Sequence, residues 1–213
     1  AGALLENDEQ DGLAHFLEHM AFQGTKNFPG KGIITSLEKH GVSFGRNINA
    51  YTAQNETVYN LSDVPTNSES LLDTCLLILH DWSYYLTLED DEIDAERGVI
   101  TEEWRTRRTP QFRIQKQMFP VLFKDSKYAI RDVIGNLDVI KNFKYQTIRD
   151  FYHEWYRTDL EAIAIVGDFD VAKMEQKVKE LFSKIPAVEN PTPRPFYEIP
   201  EHDEMYYCLA TDK

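Results

Sequence analysis

Cysteines, basic residues and long apolar runs are all scarce in this chain of 213 residues. The two cysteines, Cys75 and Cys208, lie far apart without a Cys-x-x-Cys spacing, which excludes a disulfide framework and a thiolate zinc site. No apolar run reaches the ~18 residues that a transmembrane helix needs. The chain has 23 basic and 36 acidic residues and a net charge of −13, which disfavours nucleic acid and anionic membranes as partners because both require cationic patches.

The sequence also lacks an initiator methionine and a signal peptide. It begins Ala1-Gly-Ala-Leu-Leu5, a segment that we interpret as the end of a strand. We therefore expect that the chain starts inside a domain and lacks a first strand or two. The missing signal peptide then leaves the cellular compartment open.

Helical and strand patterns follow one another along the chain, whose composition is 42% hydrophobic and 28% charged. The periodicity predicts helices at 11–22, 31–40, 68–86, 90–108, 112–123, 137–141, 145–155 and 171–183. It predicts strands at 1–5, 42–52, 57–61, 162–166 and 205–210, with 42–52 and 57–61 forming a β-hairpin. A hairpin among so many helices indicates an α+β fold rather than a doubly wound parallel sheet.

The motif that carries chemistry is His15-Phe-Leu-Glu18-His19. Histidines four residues apart lie one helical turn apart, so both imidazoles leave the same face and can bind one metal ion. Glu18 lies at the edge of that face, where it can take a proton from a water on the metal. The alternative interpretation is a polar helix face without a metal, because a short pattern of this kind also recurs by chance.

A catalytic zinc needs a third protein ligand, and the helix that starts at Asp90 or Asp91 offers Glu96, Glu102 and Glu103. Glu96 and Glu103 are two helical turns apart and share a face, so Glu103 can bind the metal while Glu96 holds a histidine. Glu102 or Glu96 as the ligand, and three plain surface acids, remain open alternatives.

These residues carry a resemblance to the M16 family of zinc metallopeptidases, the inverzincins, which include pitrilysin, insulin-degrading enzyme and mitochondrial processing peptidase. The match comprises the His15–His19 motif, Asn49-Ala-Tyr-Thr52, Glu96-Arg-x-Val-Ile-x-x-Glu103 and Val166-Gly-Asp168, in the family's order. The segment from His19 to Gly30 looks most like bacterial members of the processing-peptidase or PqqL-like branch. The resemblance implies helices packed on one face of a mixed, largely antiparallel sheet.

The resemblance also implies roles for single residues. His15, His19 and Glu103 correspond to the ligands of one Zn²⁺ ion, Glu18 to the general base that activates the zinc-bound water, and Glu96 to a supporting carboxylate. The separation of His19 from Glu103 is longer than expected for the family, which keeps Glu102 and Glu96 open as ligands. The family's edge strand makes Asn49, Ala50 and Thr52 expected contacts of an extended peptide substrate.

The family's architecture suggests the role of the whole chain. We expect a zinc-bearing domain at 1–185, a proline-rich linker at 186–200 and the start of the next homologous domain at 201–213. The predicted function is a zinc metalloendopeptidase of peptides or unfolded polypeptides, bacterial and periplasmic, which needs a later domain or a partner subunit for full activity. The alternatives are a non-catalytic subunit of the same family and a metal-binding interaction domain.

Overall fold

The computed structural model describes residues 1–212, and within them the chain forms eight α-helices and one two-stranded sheet. The helices are α1 (Leu13–Met20), α2 (Gly32–Glu38), α3 (Glu69–Tyr84), α4 (Asp90–Thr106), α5 (Pro110–Leu122), α6 (Leu137–Asn142), α7 (Tyr145–Trp155) and α8 (Val171–Phe182). The strands are β1 (Ile48–Thr52) and β2 (Thr57–Leu61), and three short 3₁₀ helices cover Ala3–Leu5, Asp8–Gln10 and Lys127–Ala129.

The helices begin where the sequence offers a side chain that caps them. Ser68 accepts the N–H of Leu71 at the start of α3, and Asp170 accepts the N–H of Lys173 at the start of α8. Helix α5 has Pro110 in its first turn, where the missing N–H costs nothing. All eight predicted helices are therefore present, with ends shifted by a few residues.

The hairpin of β1 and β2 is antiparallel, with Ala50 opposite Tyr59 and Thr52 opposite Thr57. Backbone bonds from Ser62 to Asn47 and from Ala53 to Glu56 bracket the ladder, so by alternation Ala50 and Thr52 direct their N–H and C=O groups to the outer edge of β1. Within residues 1–212 these outward groups make no backbone hydrogen bond. The outer edge of β1 is therefore open.

Helix α1 lies at the centre of the molecule, between the hairpin and helices α4 and α7. Its side chains Leu13, Phe16 and Leu17 are fully buried. The indole N–H of Trp82 in α3 donates to the carbonyl oxygen of Ala21 at 2.9 Å, which ties the end of α1 to α3. Close packing of this kind holds the buried side chains of α1 in fixed rotamers.

The α+β class is confirmed, but the sheet is smaller than predicted because three expected strands do not form. Residues 1–5 make a 3₁₀ turn whose N–H groups bond to the hairpin loop at Ala53 and Gln54. Residues 162–166 and 205–210 have no strand structure, and Val166 is 96% exposed. An apolar run becomes a strand only when another strand pairs with it, and residues 1–212 provide no such partner for these segments.

The strand predicted at 42–52 is also shorter than expected, since 42–47 is a loop and only Ile48–Thr52 pairs with β2. Both cysteines are unpaired, as the sequence indicated, and Cys75 is buried in α3. No helix among the described residues is long and apolar enough to cross a membrane.

Candidate metal centre

Helix α1 is oriented by a buried carboxylate at its N-terminus. Glu6 is fully buried and accepts the backbone N–H groups of Gly12 at 3.0 Å and Ala14 at 2.8 Å. Gly12 has a φ of 109°, a conformation that glycine adopts without steric cost. Burial raises the pKa of Glu6 to about 8, although the two N–H donors act to lower it.

His15 and His19 leave the same face of α1, and their rings meet edge to face with centroids 4.7 Å apart. Helix α4 brings Glu103 to both of them. Glu103 Oε2 lies 3.6 Å from His15 Nε2 and 3.3 Å from His19 Nε2. The three side chains therefore direct one nitrogen or oxygen each into the same space, and these atoms lie within 4.8 Å of one another.

His19 and Glu103 each make a second polar contact, on the side away from the shared space. Glu96 is buried, and its Oε1 lies 2.7 Å from His19 Nδ1 while its Oε2 accepts from Gln23 Nε2 at 2.7 Å. Arg107 lies 2.6 Å from Glu103 Oε1. His19 and Glu103 thus each have one atom fixed by a neighbour and another directed to the shared space.

Glu102 is placed differently from Glu103, although the two are adjacent on α4. Its side chain is 63% exposed and pairs with Arg105 on the same helix at 2.8 Å. The structure brings Glu102 to neither histidine within the described residues. Of the three acids that the sequence left open, Glu103 is the one beside both imidazoles and Glu96 lies behind His19.

The ionisation of the cluster follows from burial and from these contacts. Burial lowers the pKa of His15 to about 4, and the neighbouring His19 adds to this effect. Burial would also lower the pKa of His19, but hydrogen bonds with Glu103 and Glu96 outweigh it and raise the pKa to about 9. The hydrogen bond with His19 holds the pKa of Glu103 at about 2. The cluster therefore places two carboxylates around one positive charge.

Glu18 lies half-buried beside the cluster and is not part of it. Its Oε2 accepts the hydroxyl proton of Thr52 at 2.6 Å. Burial raises the pKa of Glu18, and the hydrogen bond from Thr52 lowers it. A carboxylate with a raised pKa next to a site for a cation is a suitable proton acceptor near neutral pH.

The other two predicted substrate contacts, Asn49 and Ala50, lie on β1 with Thr52. Asn49 is exposed, whereas Ala50 is half-buried and belongs to the open outer edge of the strand. The sequence did not indicate Gln23, Arg107 or the contact between Thr52 and Glu18. Gln23 bonds to Glu96 and Thr52 bonds to Glu18 across elements far apart in the chain, which no spacing rule relates. Arg107 lies four residues after Glu103, so the spacing of helical ion pairs could have indicated that contact.

The residues present fit a zinc ion. Two imidazole nitrogens and one carboxylate oxygen form a ligand set of zinc enzymes that leaves one position open. The low pKa of His15 keeps its imidazole neutral, which is the form that binds metals. His15 Nδ1 is buried without a hydrogen-bond partner among residues 1–212. Nε2, which faces Glu103, is therefore the ring nitrogen with a polar neighbour there.

Comparison with known proteins places this chain in a family. The model of the insulinase family, peptidase family M16, matches residues 1–124, and the model of the peptidase M16 inactive domain matches residues 142–212. The first match covers more than half of the chain and all the residues of the cluster.

Individual relatives agree with the family models. The probable zinc protease PqqL of Haemophilus influenzae is 40% identical over 191 residues, which is 90% of this chain and 20% of the relative. The crystal structure of the first half of the periplasmic protease PqqL from Escherichia coli matches with a TM-score of 0.86 and 38% identity, over 92% of this chain and 42% of that one. Pitrilysin has the same fold, with a TM-score of 0.72 and 23% identity over 92% of this chain and 21% of its own.

The chain therefore spans about a fifth of the length of the curated PqqL relatives that it matches. The family model, the related sequences and the fold agree with one another, and the chain belongs to peptidase family M16, the insulinase family.

Proposed function

We propose that this chain is the zinc-bearing domain of a metalloendopeptidase that hydrolyses peptides or unfolded polypeptides. The observation that carries the proposal is the position of Glu103 Oε2, within 3.6 Å of one imidazole Nε2 and 3.3 Å of the other. His15, His19 and Glu103 would hold the metal, one ion per chain. When bound, zinc would supply a Lewis acid that polarises the scissile carbonyl and acidifies the attacking water.

The residues around the metal ligands have separate tasks in this proposal. Glu18 accepts the proton of the attacking water and then delivers it to the nitrogen of the leaving amine. Glu96 accepts the Nδ1–H of His19, which leaves Nε2 as the nitrogen that faces the metal once the imidazole is neutral. Arg107 holds the second oxygen of Glu103 and so limits its rotation.

The substrate class follows from the open edge of β1. An extended peptide can pair there with the outward N–H and C=O groups of Ala50 and Thr52, and such pairing requires an unfolded or flexible segment. Asn49, exposed on the same strand, can contact the peptide's side chains or backbone. A segment held inside a folded domain is not free to pair in this way, which favours peptides and unfolded chains as substrates.

We further propose the division of the chain into a zinc-bearing domain at 1–185, a linker at 186–200 and the start of a homologous domain at 201–213. Later domains, or a partner subunit, would complete the site. The bacterial relative of known structure is named a periplasmic protease, which supports a bacterial, periplasmic location for this protein too.

A non-catalytic subunit is the second candidate, because residues 142–212 match the model described as an inactive domain. That match includes none of the five residues of the proposed site, His15, Glu18, His19, Glu96 and Glu103, which all lie within residues 1–124. A complete set of ligands and a base has no purpose in a subunit that does not hydrolyse peptides. The active form is therefore the better supported of the two.

Glu18→Gln in the full-length protein tests the proposal. We expect zinc content to remain at about one ion per chain and turnover of a fluorogenic peptide to fall by at least ~10²-fold, since general base catalysis contributes ~10²–10⁴-fold. Glu38 is an exposed acid in α2, and Glu38→Gln is the matched control, which should change neither zinc content nor turnover. Hydrolysis at the wild-type rate by the Glu18 variant would favour the interaction-domain alternative.

A further inference from the structure

We propose that Thr52 is a positioning residue for Glu18, and that its hydroxyl serves the base rather than the peptide. This inference rests on the proposed function of Glu18 as the proton acceptor. The sequence pattern had placed Thr52 among the substrate contacts with Asn49 and Ala50. The structure directs its hydroxyl elsewhere.

The geometry of the contact is close and directional. Thr52 Oγ1 lies 2.6 Å from Glu18 Oε2, a distance typical of a hydroxyl that donates to an ionised carboxylate. A second hydroxyl, Thr57 Oγ1, lies 3.3 Å from Thr52 Oγ1 but donates its own proton to the carbonyl oxygen of Ala1 at 2.6 Å. Thr57 therefore has no proton for Thr52, and the proton of Thr52 is directed to Glu18.

The side chain of Glu18 is held by fewer contacts than the side chains of His19 and Glu103. His19 is held by Glu96, and Glu103 is held by Arg107, whereas Thr52 is the only residue within 1–212 that makes a hydrogen bond to the Glu18 side chain. The bond occupies one oxygen, Oε2, and leaves Oε1 without a protein donor. One oxygen is thereby fixed to a strand and the other stays available to water.

The strand makes Thr52 a rigid anchor. It is the last residue of β1, paired with Thr57 of β2, and its face of the strand packs on α1. A β-branched side chain in a strand has a restricted χ1, so the hydroxyl keeps its direction. The same strand offers its backbone edge to a peptide, so one residue can couple the position of the base to that of the substrate.

A thermodynamic test uses the metal-free chain and needs no activity. Thermal unfolding is measured in a chelator for wild type, Thr52→Val, Glu18→Ala and the double variant. We expect Thr52→Val to lower Tm by about 2–6 °C when Glu18 is present and by less than about 1 °C when it is absent, while Thr52→Ser stays near wild type. Equal losses in the two backgrounds would overturn the proposal, because Thr52 would then act without Glu18.

A kinetic test separates positioning from substrate binding in the zinc-loaded, full-length protein. We expect Thr52→Val to lower kcat by about 10- to 100-fold with KM and zinc content unchanged, and Thr52→Ser to recover wild-type kcat within about threefold. A raised KM with wild-type kcat would assign Thr52 to the substrate and overturn the proposal, and so would a loss of zinc. Glu18→Gln is assayed in parallel. If this variant retains turnover, the proposed function is contradicted. The thermal unfolding experiment with the double variant still tests the contact between Thr52 and Glu18.

Discussion

Replacing Glu96 by glutamine tests how much the carboxylate behind the metal cluster contributes to zinc affinity. Glu96 is 4% exposed and has a partner for each oxygen, His19 Nδ1 and Gln23 Nε2, both at 2.7 Å. Glutamine has the same shape but only one acceptor oxygen and no charge. In Glu96→Gln, at least one of the two bonds is lost or becomes a contact between donors, and the bond to His19 loses its charge assistance.

The expected magnitude follows from what such partners contribute in zinc proteins. Loss of a carboxylate that supports a ligating histidine weakens metal binding by about 10- to 100-fold, or about 1.4–2.8 kcal/mol. We expect zinc to bind Glu96→Gln with a Kd raised by that factor, and the stoichiometry to remain one ion per chain at saturating zinc. Competition with a chromophoric chelator at fixed pH measures the change.

The matched control lies on the same helix. Glu102→Gln removes the same charge from α4 at a position that is exposed and pairs only with Arg105 among the described residues. It should leave the Kd within about twofold of wild type, because an exposed ion pair contributes little. If Glu96→Gln bound zinc as tightly as wild type, or if both variants weakened it equally, the contact with His19 would not be what supports the site.

Three further predictions concern the ligand, the cap of α1 and the core. Glu103→Ala should lose zinc measured by mass spectrometry, while Glu102→Ala keeps it. The folded pKa of Glu6, about 8, lies above the usual value of 4.5, so its stabilisation is complete below that value and is lost as pH rises through about 8. Glu6→Gln should therefore reduce the decline of the urea unfolding free energy between about pH 4.5 and 8, by up to about 1.4 kcal/mol per pH unit. Leu17→Ala should lower the urea unfolding free energy by about 2–5 kcal/mol and the exposed Val99→Ala by less than about 0.5.

The half of the site that lies on one helix could be predicted from the sequence. The spacing of His15 and His19 fixes their common face as soon as α1 forms, and Glu18 must then lie beside them. The choice between Glu102 and Glu103 could not be made in this way, because both lie on α4 and the rotation of α4 against α1 decides which one faces the histidines. Only the packed structure contains that rotation.

The errors in the fold have a similar cause. The apolar run at 162–166 satisfies every local rule for a buried strand, yet Ile163 is 39% exposed and Val166 is 96% exposed. Strand formation depends on hydrogen bonds to another segment, and no local rule reports whether that segment is present. The helices satisfy their hydrogen bonds internally, which is why all eight predicted helices form, whereas three of the five predicted strands do not.

The electrostatics of the cluster explain why these residues belong together despite the burial of several charges. A buried carboxylate is costly unless it is paired, and Glu96 and Glu103 share His19, whose pKa of about 9 reports a proton held between them. That proton occupies the position where a cation between His15, His19 and Glu103 would be stabilised by the same two carboxylates. In the proposed function a divalent ion would replace it, so zinc binding would be coupled to release of the proton from His19. Glu18 bonds to Thr52 and not to His19, so its other oxygen stays available for the proton transfer that we propose.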